Sequence, residues 1–325
     1  MKRRAFISLL GNGMVALPFV AHAQPSTPTI GYFSGRSAES EGLYKEAFHR
    51  GLGEIGYREH RNVAIEYRFS EGQDARLPGL AADLVHQRVA VLVATDAPSA
   101  LAAQAATSTI PIVFSTGSDP VKLGVVESLD RPTGNATGIF TFVTDLGPKR
   151  LQLLREVVPH GKLVAFIVNM NTVNGPAQLD QMKAAAKEMD QQILILRAGN
   201  EAGLNEAFAA VLEQKAAAIL YSASVFFQVM RNQVVNFAAQ HSIPAIYEWP
   251  EFVTSGGLMS YSSNRSEAGR QLGIYTGQIL NGAKPVDLPI IQSTKFEFVI
   301  NLKTAKALGI KISDNLLSLA DRTIE

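Results

Sequence analysis

Short apolar segments alternate with longer segments of helical periodicity along most of the chain, and this alternation restricts the fold more than any other feature. Most short segments are continuously apolar, as expected for parallel strands covered by helices on both faces. The pattern also repeats: AVLVATD from Ala90 and IPIVF from Ile110 are echoed by AAILYSA from Ala217 and IPAIY from Ile243. The sequence therefore predicts an α/β fold of two doubly wound lobes in tandem. A chance similarity between two βαβ units is the alternative.

Ten segments are predicted to form strands. They are residues 29–33, 63–69, 89–94, 110–115, 136–142, 163–168, 192–196, 217–221, 244–247 and 257–261. In 63–69, apolar residues alternate with Glu66 and Arg68, which favours an edge strand with one solvated face. Apolar stripes at helical spacing predict helices over 40–56, 175–189 and 226–240.

The composition excludes several classes of protein. A chain of 325 residues that is 46% hydrophobic is too apolar for a disordered protein and long enough for about two domains. The absence of cysteine excludes disulfides, thiolate metal sites and a lipid anchor on cysteine. The net charge is +1, and no long basic run suggests a nucleic-acid partner.

The N-terminus has the features of a signal peptide. A basic start at 2–4 is followed by a mainly apolar stretch over 6–20 and by the cleavage pattern Ala21-His22-Ala23. We expect residues 1–23 to be removed and the mature protein to begin at Gln24 in the periplasm. Arg3-Arg4 also resembles the twin-arginine export pattern, so the route stays open between that system and general secretion. A short buried helix is the structural alternative.

Polar residues follow the carboxyl ends of the predicted strands, where ligands of open α/β sheets bind. The loops are rich in hydroxyl and amide groups, and several precede helices whose free N–H groups hold anions. Aromatic residues nearby would contact an apolar part of the ligand. The candidate ligand contacts are Ser34, Arg36, Thr95, Asp96, Ala97, Thr116, Ser118, Asp119, Phe142, Asn169, Asn171, Tyr221, Ser222 and Trp249.

Structural roles compete with ligand binding at several of these positions. Asp96 and Ser118 are suited to cap helices, and Asp119 precedes a proline as a capping residue does. Tyr221 is apolar enough to be a core residue. Arg36 has Glu39 and Glu41 nearby as partners on the surface.

Catalytic motifs are absent from the sequence. There is no H-E-x-x-H motif, no EF-hand loop, no G-x-S-x-G elbow, no Walker A lysine motif and no dinucleotide fingerprint. The histidines fall on predicted helices or polar turns away from the strand ends, or in the signal peptide. We therefore expect a binding protein without a cofactor or a metal, and not an enzyme.

Three segments resemble a known family. They are IPIVFSTGSDPVKLGVVESLDRPTGNATGI from Ile110, IPAIYEWPEFVTSGGLMSY from Ile243 and ILNGAKPVDLPIIQSTKFEFVINLKTAKALGI from Ile279. Together they resemble the ABC transporter substrate-binding protein family of the tryptophan/tyrosine-importer type. The resemblance implies a type I periplasmic-binding-protein fold, with two lobes, a hinge of three crossings and a ligand cleft between the lobes.

The resemblance also implies partners and site positions. A monomer would capture a small carboxylate or amino-acid-like ligand, close around it and dock on an ABC permease driven by a separate ATPase. The loops ending at Asp119 and around Asp96 match the family's cleft loops. The turn Asn169-Met170-Asn171 departs from the family's usual Asn-Ser type, so the resemblance does not extend to the contacts of this turn.

The implied division of the chain assigns 28–142 and 262–286 to lobe 1, and 143–261 and 287–325 to lobe 2. The crossings are expected near 140–145, 260–264 and 287–292. Two other functions stay open: an exported sensor ectodomain, and an α/β enzyme with its active site between the lobes. An ionisable pair within hydrogen-bond reach in the cleft would favour the enzyme.

Overall fold

The computed structural model describes residues 27–130, 132, 134–158 and 162–325, so the predicted signal peptide lies outside the described residues. The described residues form two sheets flanked by helices. The strands are β1 Thr29–Ser34, β2 Ala64–Phe69, β3 Val91–Ala94, β4 Ile112–Thr116, β5 Ala136–Phe140, β6 Val164–Val168, β7 Ile193–Arg197, β8 Ala218–Tyr221, β9 Ala245–Tyr247, β10 Met259–Ser263, β11 Ile291–Gln292, β12 Phe296–Asn301 and β13 Arg322–Ile324.

Helices connect most of the strands. They are α1 Gly42–Glu54, α2 Leu77–His86, α3 Ala97–Ala106, α4 Gly147–Arg155, α5 Gly175–Glu188, α6 Glu201–Glu213, α7 Val225–Val229, α8 Arg231–Gln240, α9 Pro250–Thr254, α10 Arg265–Leu280, α11 Leu302–Ala307 and α12 Asp314–Leu319. The helix expected over 226–240 is divided into α7 and α8 at Met230. None of the helices in the described parts of the chain is long and apolar enough to cross a bilayer.

The two sheets share one strand order. The first sheet runs β11-β5-β4-β3-β1-β2 and the second runs β13-β12-β10-β9-β8-β6-β7. The echoed segments are β3 and β4 in the first sheet and β8 and β9 in the second, at equivalent places. This confirms the two doubly wound α/β lobes, and β2 lies at a sheet edge as its alternating pattern predicts.

Each sheet is buried on both faces. In β3, Leu92 packs into one core of the first lobe, while Val91 and Val93 pack into the core on the opposite face. In β6, Phe166 and Ile167 likewise point to opposite cores of the second lobe. Covered faces on both sides explain why these strands are continuously apolar instead of alternating with polar residues.

The chain passes three times between the sheets. It leaves the first sheet after Phe140, returns after Ser263 at the end of β10, and leaves again after Gln292. The third passage was expected at 287–292, and this is corrected. Strand β11 pairs in parallel with β5, and Thr137 donates a hydrogen bond to the carbonyl of Leu288, so 287–292 belongs with the first sheet.

Helices α1 and α10 pack closely in the first lobe because glycines remove side chains from their contact. A Cβ atom on Gly51 would lie 1.8 Å from the carbonyl oxygen of Arg270, and one on Gly273 would lie 2.1 Å from that of Phe48. Helix α10 begins directly after the second passage. The contact therefore anchors the returning chain to the lobe that it re-enters.

Candidate ligand-binding cavity

A cavity of about 420 Å³ lies between the two lobes. Residues that follow the carboxyl end of every strand from β1 to β10 contribute to its lining. Because parallel strands place their carboxyl ends at one sheet edge, facing the two edges toward each other collects these loops around one space. The cavity has the size of sites that enclose small organic ligands.

Eight of the predicted contacts line this cavity. They are Arg36, Thr95, Asp96, Ala97, Thr116, Asn169, Asn171 and Trp249. Their common property is a position at the last residue of a strand or within the first few residues after it. The strand-end rule, applied to the sequence alone, therefore located part of the lining in both lobes.

The other six predicted residues lie behind the lining. The hydroxyl of Ser34 donates to Asp96 at 3.0 Å, and the hydroxyl of Ser222 accepts a hydrogen bond from the backbone N–H of Asn169. The hydroxyls of Ser118 and Thr144 are 2.7 Å apart. These three serines hold the cavity loops in place instead of facing the cavity.

Two of the six are core residues and one stabilises a turn. Tyr221 is buried in the second lobe and stacks on Tyr247, while Phe142 packs edge-on against Phe140 in the first lobe. Asp119 accepts a hydrogen bond from the backbone N–H of Val121 at 2.9 Å. Tyr221 is therefore the core residue that its apolar character allowed, whereas Asp119 stabilises a turn and does not cap a helix, because none of the described residues between it and β5 forms a helix.

Asp96 caps helix α3 as well as lining the cavity. Its carboxylate accepts hydrogen bonds from the backbone N–H of Ser99 and of Gly35, and from the hydroxyl of Ser34. A carboxylate at a helix N-terminus is stabilised by the free N–H groups and the helix dipole. The residue fixes the first turn of α3 beside the cavity, with its carboxylate occupied by protein donors.

Arg36 is buried and its guanidinium is shared among protein acceptors. It donates to Glu41 and to the carbonyl of Thr95, both at 2.8 Å, and lies 3.6 Å from Asp96. Burial lowers the pKa of Arg36, but the charges of Glu41 and Asp96 outweigh burial and raise the pKa above its usual value. The side chain stays charged and its charge is neutralised within the first lobe.

Arg36 also reaches the second lobe. Its Nε donates to Oε1 of Gln228 at 2.5 Å, and Nε2 of Gln228 donates to Glu248 at 3.0 Å. On the outer side, Arg231 of the second lobe pairs with Glu39 of the first at 3.1 Å. The two lobes are therefore in direct polar contact across the cavity mouth.

Arg265 lies at the base of the cavity, just after the second passage between the lobes. Its guanidinium is 4.9 Å from the ring centres of both Tyr44 and Trp249, one from each lobe. It also pairs with Glu251 at 2.9 Å and lies 3.6 Å from Glu41. Cation–π contacts and ion pairs together fix the position of the Trp249 ring.

Glu248 is buried beneath the cavity lining. Burial raises its pKa to about 7, against the opposing effects of Arg150 and of hydrogen bonds from Gln228 and the backbone N–H of Ser224. Arg150 is only 1% exposed and donates to the backbone carbonyl of Val143 at the first passage between the lobes. Burial lowers the pKa of Arg150 to about 10, so it remains a cation at neutral pH.

Both lobes and the hinge contribute apolar residues to the lining. Trp249 is 4% exposed, and its indole N–H has no hydrogen-bond partner among the described residues. Phe226, Val173 and Val143 also line the cavity, and Thr95, Thr116 and Thr141 line it from the first lobe. The arrangement suits a ligand with one polar and one apolar part.

Sequence reasoning missed several lining residues. Gln228 lies inside a helix, where no sequence signal marks it, but Asp74 and Arg265 follow β2 and β10, and the strand-end rule would have found both. Within the described ranges, no group of three His, Asp or Glu residues could hold a metal ion.

The family comparison decides what kind of protein has this cavity. The family model described as "ABC transporter substrate binding protein" matches residues 37–324. The chain belongs to this family. Its members bind a solute outside the cytoplasm and work with a membrane permease and an ATPase, so this substrate-binding protein is the solute-binding component of an ABC importer.

Individual relatives agree with the family. A curated tyrosine-binding protein of Clostridioides difficile (strain R20291) is 26% identical over 268 residues, which cover 82% of this chain and 76% of the relative. The solved structure of an ABC domain in complex with L-Trp from Streptococcus pneumonia is 25% identical, with a TM-score of 0.82, and covers 92% of this chain and 100% of that one.

A conserved domain protein from Vibrio cholerae gives the same TM-score of 0.82 at 25% identity, over 91% of this chain and 99% of that chain. The structural neighbours have the type I periplasmic-binding-protein fold, which confirms the fold implied by the resemblance.

Proposed function

We propose that this substrate-binding protein captures an α-amino acid with an aromatic side chain in the cavity between its lobes. The observation that carries the proposal is the pairing of hydroxyl-rich strand-end loops with the rings of Trp249, Phe226 and Tyr44 around one enclosed space. An aromatic side chain gains from contact with such rings, and the polar end of an amino acid finds hydrogen-bond donors opposite. The relatives named as binding tyrosine and L-Trp support this ligand class.

The mechanism follows from the contacts between the lobes. A ligand that touches both lobes favours the closed arrangement by its differential affinity for it. The contacts of Arg36 with Gln228 and of Arg231 with Glu39 form only when the lobes meet. They add to the stability of the closed form, which then docks on the permease.

A thermal-shift screen tests the ligand class. The panel contains the twenty L-amino acids, short carboxylates, pentoses, hexoses and nucleosides. L-Tryptophan or L-tyrosine is expected to give the largest rise in the unfolding midpoint. At one hundred times its dissociation constant a ligand adds about 2.7 kcal/mol to stability. A rise with sugars or nucleosides alone would contradict the proposal.

We further propose that the protein reaches the periplasm by cleavage after Ala23 and works there as a monomer. The order of basic, apolar and small residues at the N-terminus supports export. N-terminal sequencing of the protein from a periplasmic extract is expected to begin at Gln24. An intact Met1 in the cytoplasmic fraction would contradict export, and a dimer mass in light scattering would contradict the monomer.

A further inference from the structure

The charges around the cavity leave one carboxylate without a partner. Among the described residues, the charged side chains that line the cavity are Arg36, Asp74, Asp96 and Arg265. Arg36 pairs with the buried Glu41, Arg265 pairs with the partly buried Glu251, and Asp96 is occupied by three protein donors. The carboxylate of Asp74 forms no hydrogen bond or ion pair with any residue that the structure describes, and only its backbone carbonyl accepts a hydrogen bond, from Leu77.

Asp74 lies where a ligand would enclose it. It begins a short 3₁₀ turn, Asp74–Arg76, that follows β2. Gly72, two residues earlier, lies against Val229 of the second lobe, and a Cβ atom there would be 3.4 Å from the valine methyl group. The residue is accessible to solvent, and its partly buried carboxyl group lines the cavity at the side where the lobes approach each other. A ligand in the cavity would exclude water from it.

The surroundings of Asp74 are unfavourable for a negative charge. Burial and the charge of Asp96 raise the pKa of Asp74 to about 6. A carboxylate that pairs with a cation has a lowered pKa, and no ion pair joins Asp74 to a cationic side chain among the described residues. A positively charged group in the cavity would supply the missing partner.

We propose that Asp74 is the counter-ion of an ammonium group on the ligand and thereby selects amino acids over carboxylic acids that lack an amino group. The inference rests on the proposed amino-acid ligand and names the residue that recognises its positive charge. It assigns the ammonium to the Asp74 side of the cavity, in the first lobe. The aromatic side chain then extends toward Trp249.

A purely local role for Asp74 makes a different prediction. An acidic residue in the first turn of a helix stabilises that turn whatever the ligand is. Its loss would then weaken the binding of every ligand to the same extent. A selective ammonium partner affects only ligands that carry the ammonium group, so matched ligands separate the two roles.

The test is calorimetry at pH 7.5 on Asp74→Asn with four probes. L-Tryptophan, L-tyrosine and tryptamine carry the ammonium group, and indole-3-propionate has the carboxylate and the ring without it. Glu71→Gln, which removes an exposed charge three residues away and outside the cavity lining, is the matched control. The unfolding midpoints of both variants without ligand verify that they fold as the parent does.

Asp74→Asn is expected to weaken the binding of L-tryptophan and L-tyrosine by about tenfold to a hundredfold, as for loss of a hydrogen bond to a charged group. Its affinity for indole-3-propionate is expected to stay the same or rise, and Glu71→Gln to bind all four probes as the parent does. Equal losses for all probes, or no loss, would overturn the role of Asp74.

The outcomes also separate this inference from the proposed function. Unchanged binding of L-tryptophan by Asp74→Asn refutes the inference and leaves the aromatic amino-acid ligand standing. Tight binding of tryptamine alone, lost in Asp74→Asn, supports the counter-ion and refutes the amino acid. Binding by the parent of indole-3-propionate alone, or of no probe, overturns both.

Discussion

At the scale of residues, the charged side chains around the cavity are mostly paired with other charged groups of the protein. Glu41 is 0% exposed and accepts hydrogen bonds from Tyr32 and Arg36, with Arg265 nearby. Buried charges are tolerated only when paired, and these pairs lie within the first lobe. They position Trp249 and the strand-end loops without placing a free arginine in the cavity.

Replacing Trp249 tests the apolar part of the site. Trp249→Ala is expected to reduce affinity for L-tryptophan more than tenfold, because a buried aromatic residue in contact with the ligand is a typical hot spot. Trp249→Phe keeps an aromatic ring but is smaller than indole and lacks the unpaired N–H, so a smaller reduction of a few-fold is expected. Calorimetry on folded variants measures both.

Phe296→Ala, at a partly exposed ring outside the cavity lining, is the control for this series. It is expected to bind L-tryptophan as the parent does. If Trp249→Ala also binds like the parent, Trp249 does not contact the ligand.

Glu248 gives the protein a specific pH dependence of stability. Its folded-state pKa of about 7 lies above its ordinary value of 4.5. Between these pH values the folded protein therefore binds more protons than the unfolded chain, and the free energy of unfolding falls as pH rises. At about 1.4 kcal/mol per pKa unit, the loss from this group is about 3 kcal/mol above pH 7.

Glu248→Gln removes this dependence. Urea unfolding at pH 5 and pH 8 is expected to show that the parent loses stability relative to the variant as pH rises. The contributions of other groups cancel in the difference between the two proteins. Parallel curves for parent and variant would contradict the assigned ionisation of Glu248.

At the scale of elements, the periodicity and composition of the sequence predicted the positions of most strands. They did not predict which side chains contact each other between elements. Strands such as β3 and β8 were predictable because burial on both faces makes them continuously apolar. Strand β11 has only two residues and no periodic signal, so the third passage was placed too early. Gln228 was missed because its partner Arg36 is distant in sequence and belongs to the other lobe.

The contact between α1 and α10 gives a matched test within one helix. Gly51→Ala is expected to lower the free energy of unfolding by about 3 kcal/mol, since its methyl group would overlap the backbone of Arg270. Gly53→Ala, two residues later in α1, meets no atom within 4 Å and is expected to add about 0.5–1 kcal/mol through helix propensity. Similar stabilities of the two variants in urea unfolding would contradict the close approach.

At the scale of the whole molecule, the repeated strand order accounts for the position of the site. Two sheets of the same order, joined by three passages, turn the carboxyl ends of their parallel strands toward one cavity. The repeated sequence segments predicted this arrangement. They form β3 and β4 in the first sheet and β8 and β9 at the equivalent positions of the second sheet. The polar contacts between the lobes depend on how the lobes pack against each other. Local sequence patterns do not predict that packing.

Closure of the lobes should be visible in solution. Small-angle scattering of the mature protein with saturating L-tryptophan is expected to give a smaller radius of gyration than scattering without it, because the ligand favours the closed form. An unchanged radius with ligand shown to be bound would remove hinge closure from the mechanism.

A crystal structure of the mature protein with L-tryptophan or L-tyrosine tests most directly whether an aromatic amino acid binds between the lobes. The expected density lies in the cavity between the lobes, with the aromatic ring against Trp249 and the ammonium group within hydrogen-bond distance of Asp74. The contacts of Arg36 with Gln228 and of Arg231 with Glu39 are expected in the same structure. Density for the amino acid outside this cavity, or an empty cavity at saturating ligand, would contradict the account.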